Sequence, residues 1–70
     1  MQSTMIEYPS GNKVWYLHAA RHRTDGPAIE YSNGYKEWYI KDKLLSFDDW
    51  LDQNMELTDE GKVMIKLQYG

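Results

Sequence analysis

Two histidines and an aspartate lie close together in this chain and are the residues best suited to catalysis or metal binding. His18, His22 and Asp25 fall within eight positions, where imidazole and carboxylate groups could exchange protons or bind a divalent cation. The spacing does not place the two imidazoles on one helical face, and no cysteine or second carboxylate cluster lies nearby. We therefore predict no catalytic residue, no metal site and no cofactor.

The string His22-Arg23-Thr24 also has the His-x-Thr shape that one family of phosphoesterases uses. That chemistry needs two such strings, and the chain holds one. A phosphoester hydrolase or nuclease acting through His18 or His22 is therefore the remote alternative.

The nearer alternative is a pocket for a nucleotide or another phosphorylated small ligand, in which Arg21, His22 and Arg23 combine with tyrosines. Arginine forks bind phosphate, and aromatic faces suit bases.

The composition indicates one small domain without covalent cross-links. The chain has 70 residues and no cysteine, so disulfides and thiolate metal sites are excluded and a reducing compartment is favoured. The apolar runs are too short for a transmembrane span, and residues 1–4 lack the charged start of a signal peptide. We expect a cytoplasmic protein with no membrane partner.

The charge is unevenly placed along the chain. A formal net charge of −3 argues against a protein whose main task is to bind nucleic acid directly. Six of the eight lysines and arginines lie in the first two thirds of the chain, whereas residues 48–60 carry six carboxylates and no lysine or arginine. The acidic block is interpreted as a solvated helix face, with mimicry of phosphate in a basic groove as the alternative.

Two stretches of nearly the same sequence, residues 6–17 and 29–40, position the residues named above. Ile, Glu, Tyr, Gly, Lys, Trp and Tyr recur in register between them, 23 residues apart. Each copy is an aromatic run, a turn cluster with glycine and a second aromatic run, which is the pattern of a β-hairpin. We predict one antiparallel four-stranded meander, with strands at residues 5–8, 13–18, 27–31 and 35–40.

The alternation of side chains along these strands predicts two different faces. The set expected in the core is Trp15, Leu17, Trp38 and Ile40. Tyr16 and Tyr39 then point to the opposite, solvent-facing side. An exposed aromatic pair flanked by Arg and Lys has the composition of a binding hot spot. Cross-strand tyrosine pairs that only stabilise the sheet are the alternative.

The segment from residue 46 to residue 70 predicts a helical cap on the sheet. Ser46 is a suitable N-cap, since its hydroxyl can accept a backbone N–H of the first turn. Carboxylates follow it in the first turn, where the helix dipole favours them. Phe47, Trp50 and Leu51 then fall on one helical stripe. Thr58 indicates a second N-cap further along.

Residues 62–69 are ambiguous, because they alternate as in a strand and also fit a helical stripe. The cap at Thr58 and the stop at Gly70 favour a second helix.

The string Asp25-Gly26-Pro27 predicts a sharp turn, since Asp bonds the backbone locally and Gly-Pro cannot continue a central strand. This string is part of His22-Arg23-Thr24-Asp25-Gly26-Pro27-Ala28, which with Gly34 and Trp38-Tyr39 resembles the HRxDGPA type of MORN-like β-hairpin repeat found in small proteins of tailed bacteriophages. The likeness covers residues 6–45. It implies a modular β-meander that serves as a binding or scaffolding surface. The chain departs from the pattern after Tyr39, so we expect the helical cap to close the array.

These observations together predict an α+β single domain spanning residues 1–70, with two repeated hairpins followed by one or two short helices. The expected function is that of a non-enzymatic phage accessory protein that occupies or inhibits a host or phage protein in the host cytoplasm. The expected contact residues are Tyr16, His18, Arg21, His22, Arg23 and Tyr39. Asp25, Gly26 and Pro27 are expected to form a structural turn. A homodimer is a further expectation, because a small meander leaves edges unpaired.

Overall fold

The computed structural model describes residues 3–69 and shows an α+β fold, in which an antiparallel sheet is followed by two helices. The six strands are β1 (Thr4–Glu7), β2 (Lys13–Leu17), β3 (Ala20–Arg21), β4 (Ile29–Glu30), β5 (Lys36–Ile40) and β6 (Lys43–Leu45). The helices are α1 (Phe47–Gln53) and α2 (Asp59–Tyr69). The sheet has more strands than the four predicted. Neither helix is long and apolar enough to cross a membrane.

The repeating unit has three strands rather than two. In the first copy Leu17 pairs with Ala20 across β2 and β3. In the second copy Ile40 pairs with Lys43 across β5 and β6, and each of these residues lies 23 positions after its counterpart. The repeat therefore continues through Leu45, beyond the point at which the sequence predicts that it stops.

The turns that add the third strand have an unusual backbone. The two turn residues are His18 and Ala19 in the first copy, with φ of 51° and 64°. Lys41 and Asp42 take their place in the second copy, with φ of 50° and 67°. Two successive positive φ angles are typical of the type I′ turn, which matches the twist of a hairpin. Such turns usually contain Asn-Gly, so His18 and Ala19 carry no recognisable turn signal, whereas the string Lys41-Asp42-Lys43 does predict a turn.

The two short strands β3 and β4 share one position in the sheet, between β2 and β5. The main chain of Trp15 in β2 bonds to the flanks of both strands. Its N–H donates to Ala28 O at 2.8 Å, and its carbonyl accepts from His22 N–H at 3.0 Å. On the other side, Arg23 N–H donates to Tyr39 O at 3.4 Å. The strand order is β1-β2-β4-β5-β6, with β3 also beside β2. Residues 22–28 therefore leave the sheet as a loop between its two halves.

Both helices begin at the predicted N-caps. Asp49 N–H donates to Ser46 Oγ at 3.1 Å, and Gly61 N–H donates to Thr58 Oγ1 at 3.0 Å. These bonds satisfy helix N–H groups that have no partner within the helix. The ambiguous segment 62–69 is thus helical, as favoured from the sequence. Gly70 lies outside the described residues.

The main core lies between β5, β6 and the helices. Trp38 is at its centre, with ring centroids 4.7 Å from Phe47, 4.6 Å from Trp50 and 5.3 Å from Tyr69. The buried members of this cluster are Trp38, Leu45, Trp50, Leu51 and Ile65, and Ile40 packs against them. The predicted core facing of Trp38 and Ile40 is correct.

Trp15 lies on the same side of the sheet as Trp38 but is not covered by the helices. It is half-buried, and the guanidinium of Arg23 lies over its ring, with Cζ 3.8 Å from the centroid. The expectation that both tryptophans share one packed core is therefore wrong for Trp15. The loop of residues 22–28 covers Trp15 in the first repeat, and the helices cover Trp38 in the second.

The left-handed turns predict a simple stabilising substitution. A residue with a Cβ in this conformation costs about 1–2 kcal/mol relative to the right-handed region. Ala19→Gly should remove most of that strain and raise the free energy of unfolding by about 0.5–1 kcal/mol, measured by urea denaturation. The matched control is Ala20→Gly in β3, which should lower it by a similar amount. Equal destabilisation by both changes would contradict the strained turn.

Candidate functional site

The sheet separates the predicted contact residues into three places. Tyr16, Arg21 and Tyr39 come together on the face opposite the helices. His18 and His22 line a groove on the helix side. Arg23 lies inside the loop of residues 22–28. A single pocket that combines arginine, histidine and tyrosine is therefore not formed.

We call the helix-free side of the sheet the tyrosine face. Its members are Tyr8, Tyr16, Arg21, Tyr31, Tyr35, Glu37, Tyr39, Asp42 and Leu44. They come from the strands and from the residues that immediately flank them. Cross-strand pairing places Tyr16 beside Arg21, and Ile29 links Val14 to Glu37. Alternation along each strand then directs the remaining tyrosines to the same side.

One carboxylate organises the centre of the tyrosine face. Glu37 Oε1 accepts hydrogen bonds from Tyr31 Oη at 3.1 Å and from Tyr39 Oη at 3.0 Å. Burial raises the pKa of both tyrosines, and the bonds to Glu37 raise it further. The two phenols therefore remain protonated donors held by one acceptor, and their rings are fixed in position.

Arg21 covers the edge of this centre. Its Cζ lies 4.5 Å from the centroid of the Tyr39 ring, a cation–π geometry. Its Nε donates to Asp42 Oδ1 at 2.5 Å, and this bond raises the pKa of Arg21 and lowers the pKa of Asp42. Both side chains remain substantially exposed to solvent. The guanidinium is thus held over the Tyr39 ring by its bond to Asp42 and stays partly open to solvent.

Tyr39 does not have the exposure predicted for it. The residue faces away from the helices as expected, but it is only 6% exposed. It packs with Val14, Ala28 and Ile29 in a second hydrophobic cluster, against which Tyr16 and Tyr31 are partly buried. Arg21 and Glu37 complete the cover of its ring and hydroxyl. The prediction that Tyr16 and Tyr39 form a solvent-facing pair is therefore wrong for Tyr39.

The exposed part of the tyrosine face lies around this buried centre. Tyr8 and Tyr16 place their hydroxyls 3.3 Å apart, a hydrogen bond that raises the pKa of Tyr16. Tyr35 is 61% exposed and contacts the ring of Tyr31, with centroids 5.6 Å apart. Leu44 is 56% exposed. The face therefore offers aromatic and aliphatic surface around a rigid polar centre.

The groove on the helix side has a volume of about 760 Å³ and runs between the strand turns and the α1–α2 connection. It is lined by Leu17, His18, His22, Thr24, Ile40, Lys41, Lys43, Gln53, Asn54, Met55 and Glu56. Leu17 and Ile40 contribute aliphatic surface to it, and Lys41 and Lys43 contribute ammonium groups. Glu56 also lines this space, and hydrogen bonding with Thr24 lowers the pKa of its carboxyl group.

His22 is one of two buried polar residues that line the groove, the other being Asn54, and 8% of its surface is exposed. Its Nδ1 accepts the N–H of Lys41 at 3.0 Å, so in the neutral ring the proton lies on Nε2. Burial lowers the pKa of His22. The groove therefore contains an imidazole of defined tautomer that can donate through Nε2.

Arg23 is occupied by contacts within its own loop. Its Nε donates to Asp25 Oδ1 at 2.8 Å, and Nη1 donates at 3.0 Å both to Pro27 O and to Glu30 Oε2. A Cβ on Gly26 would lie 2.7 Å from Arg23 Cζ, so the absence of a side chain there makes room for the guanidinium. The string His-Arg-x-Asp-Gly-Pro-Ala thus builds a closed loop around one arginine.

Metal ligation has little support in the described part of the chain. Within residues 3–69, no group of three or more His, Asp or Glu side chains could hold a metal ion. The six carboxylates of the acidic block all belong to exposed residues.

Several residues of these surfaces are not indicated by the sequence analysis. They include Tyr8, Tyr31, Tyr35 and Asp42 on the tyrosine face and Lys41 and Lys43 in the groove. Extending the 23-residue shift past Tyr39 would have found the last three, because Lys41, Asp42 and Lys43 occupy the positions of His18, Ala19 and Ala20.

Comparison of the chain with protein-family models, with curated proteins and with solved structures found no match. The resemblance to MORN-like phage repeats therefore stays a prediction.

The lowered pKa of His22 predicts a pH dependence of stability. Because the folded pKa lies below the unfolded value of about 6.5, the unfolded chain binds more protons as the pH falls from 7 to about 5. The free energy of unfolding should therefore fall over that range. His22→Asn keeps an acceptor for Lys41 N–H without a titrating ring, and urea denaturation should show a flatter profile. A variant profile as steep as that of the wild type would contradict this assignment.

Proposed function

We propose that this chain is a small non-enzymatic binding protein that docks a protein partner on its tyrosine face. The observation that carries the proposal is the network around Glu37, in which two tyrosine hydroxyls and a stacked arginine are already ordered before any partner binds. Ordered side chains lose little conformational entropy on association, so more of the contact free energy appears as affinity.

The composition of the face supports a protein partner rather than a small molecule. Tyrosine and arginine are enriched at binding hot spots, where a rigid centre is surrounded by contacts that exclude water. Here Tyr8, Tyr35 and Leu44 are exposed around the centre, and the Arg21–Asp42 ion pair lies beside it. The face is open and follows the sheet surface, which suits a flat epitope.

The resemblance to HRxDGPA repeats adds the biological setting of the proposal. We infer a phage accessory protein that acts in the host cytoplasm, where occupation of a host or phage protein would inhibit it. The sheet supplies the contact surface, and the helices stabilise it from behind.

Substitutions on the tyrosine face should weaken partner binding without unfolding the chain. Tagged wild-type protein is used to capture a stoichiometric partner from host lysate, and its affinity is then measured by calorimetry. Arg21→Ala and Tyr35→Ala should each reduce affinity about 30-fold if they remove a hot-spot contact of about 2 kcal/mol.

The matched control is Leu67→Ala, because Leu67 is an exposed apolar residue on α2, away from the sheet. It should leave the affinity unchanged. Capture of no stoichiometric partner would count against the proposal. A partner that Leu67→Ala releases, while both tyrosine-face variants retain it, would place the docking surface on the helices.

The groove favours a second candidate function, the sequestration of a phosphorylated small ligand. The specific observation is that His22 has a donor nitrogen in a space of about 760 Å³ that Lys41 and Lys43 also line. Phosphate oxygens accept hydrogen bonds from imidazole and ammonium groups. The apolar side chains of Leu17 and Ile40 would contact the rest of such a ligand.

Thermal shift against a nucleotide panel and inorganic phosphate tests the groove. A ligand present at 100 times its Kd should stabilise the wild type by about 2.7 kcal/mol. Lys43→Ala should abolish most of the shift, whereas Lys66→Ala on α2 should retain it. No stabilisation of the wild type at millimolar ligand would remove this candidate.

A further inference from the structure

Within residues 3–69, the sheet has two edges without a paired strand, and the internal repeat makes these edges complementary to each other. The leading edge is the outer side of β1, the first strand of the sheet. The trailing edge is the side of β5 at Lys36 that faces away from β4. From Trp38 to Ile40, the same side of β5 is paired with β6.

The junction between the two repeats shows how such edges bind. There β4 lies on β2, with Glu30 opposite Lys13 and Ile29 opposite Val14. The 23-residue shift relates the β4 residues to β1 and the β2 residues to β5. The corresponding residues are Ile6 and Glu7 at the leading edge and Lys36 and Glu37 at the trailing edge. The described residues thus contain one complete junction between β2 and β4. Each half of that junction occurs a second time, without a paired strand, at one edge of the sheet.

The main chain at the trailing edge is directed outward. Tyr31 N–H donates to Tyr35 O at 2.8 Å, and Arg23 N–H donates to Tyr39 O at 3.4 Å. Main-chain groups alternate in direction along a strand. The main-chain groups of residues 35, 37 and 39 therefore point towards β4 and β3. The N–H and C=O of Lys36 point to the opposite side of β5, and Lys36 precedes the residues that pair with β6. Helix α1 packs over Trp38 on the face of the sheet and leaves Lys36 exposed.

The main chain at the leading edge is directed outward in the same way. Tyr8 N–H donates to Asn12 O at 2.9 Å, so Tyr8 faces β2. Glu7, one residue earlier, then directs its N–H and C=O away from β2. Glu7 and Lys36 therefore present the same hydrogen-bonding pattern that Glu30 and Lys13 use with each other inside the chain.

Charge along the sheet also matches the two edges. One cross-strand row consists of Glu7, Lys13, Glu30 and Lys36, in which the sign alternates at every strand. It ends with a carboxylate at the leading edge and an ammonium at the trailing edge. Opposite charges directly across a sheet are stabilising and like charges are destabilising. Joining unlike edges continues the alternation, whereas joining like edges in this alignment would oppose equal charges.

We infer that the ligand of each edge is a second copy of this chain, bound head to tail with β1 of one copy added to β5 of the next. Glu7 lies opposite Lys36 of the neighbouring copy, and Ile6 lies opposite its Glu37. Such a junction is heterologous and leaves an unpaired edge at each end, so further copies can add to the dimer. It also aligns the tyrosine faces of successive copies on one continuous sheet.

Main-chain methylation tests the junction, because a chain of 70 residues is accessible to chemical synthesis. The two test chains carry an N-methyl group on Glu7 or on Lys36, which removes an outward N–H without changing charge. Sedimentation is followed from about 10 μM to 1 mM, the range in which small interfaces dissociate. The wild type should show an average mass that rises without a plateau at dimer, and each methylated chain should stay monomeric.

Mixing the two methylated chains gives the decisive readout. Each retains one free edge, and the free edges are complementary, so an equimolar mixture should form a dimer and nothing larger. Methylation of Leu44 is the matched control, because its N–H faces outward on β6 but lies outside the proposed junction, and this chain should associate like the wild type. A monomeric wild type, a mixture that stays monomeric, or association lost on Leu44 methylation would each overturn the inference.

Discussion

The environment of Arg23 joins the two repeats and the helices at one point of the molecule. Its guanidinium lies on the ring of Trp15 and binds Glu30, so the first repeat is linked to the start of the second. Its main-chain carbonyl accepts the indole N–H of the fully buried Trp50 at 3.0 Å. The loop of residues 22–28 is thus held by two tryptophans, Trp15 of the sheet through the Arg23 guanidinium and Trp50 of α1 through the Arg23 carbonyl. The central strip of the sheet depends on this closure, because β3 and β4 lie immediately on either side of the loop.

Local signals in the sequence predicted a large part of this fold. The hairpin around Asn33-Gly34 and the caps at Ser46 and Thr58 each depend on residues within a few positions of one another, so the sequence pattern was sufficient. The third strand of each repeat could not be predicted in that way. Its turn uses His18 and Ala19 in a conformation usually taken by glycine or asparagine, so no residue type marks it. Only the comparison of both copies over the full repeat would have indicated it.

The candidate site was predictable to a smaller extent, because its geometry depends on contacts between distant residues. Alternation placed Tyr16 and Tyr39 away from the helices correctly. Tyr39 is buried by its packing with Val14 and Ile29 and by Arg21, which lies over its ring from β3. Alternation within one strand contains no information about these contacts with other strands. His22 and Arg23 are neighbours in the chain, yet one faces the groove and the other fills the loop. Proximity in sequence therefore did not imply one shared pocket.

The aromatic cluster around Trp38 has an optical consequence. The indoles of Trp38 and Trp50 lie 4.6 Å apart with ring planes tilted by 54°, one on the sheet and the other on α1. At that separation their electronic transitions couple, and the tilt makes the coupled pair chiral. The molecule thus contains a built-in spectroscopic probe whose exciton signal in circular dichroism reports the contact between helix and sheet, separately from the secondary structure of either.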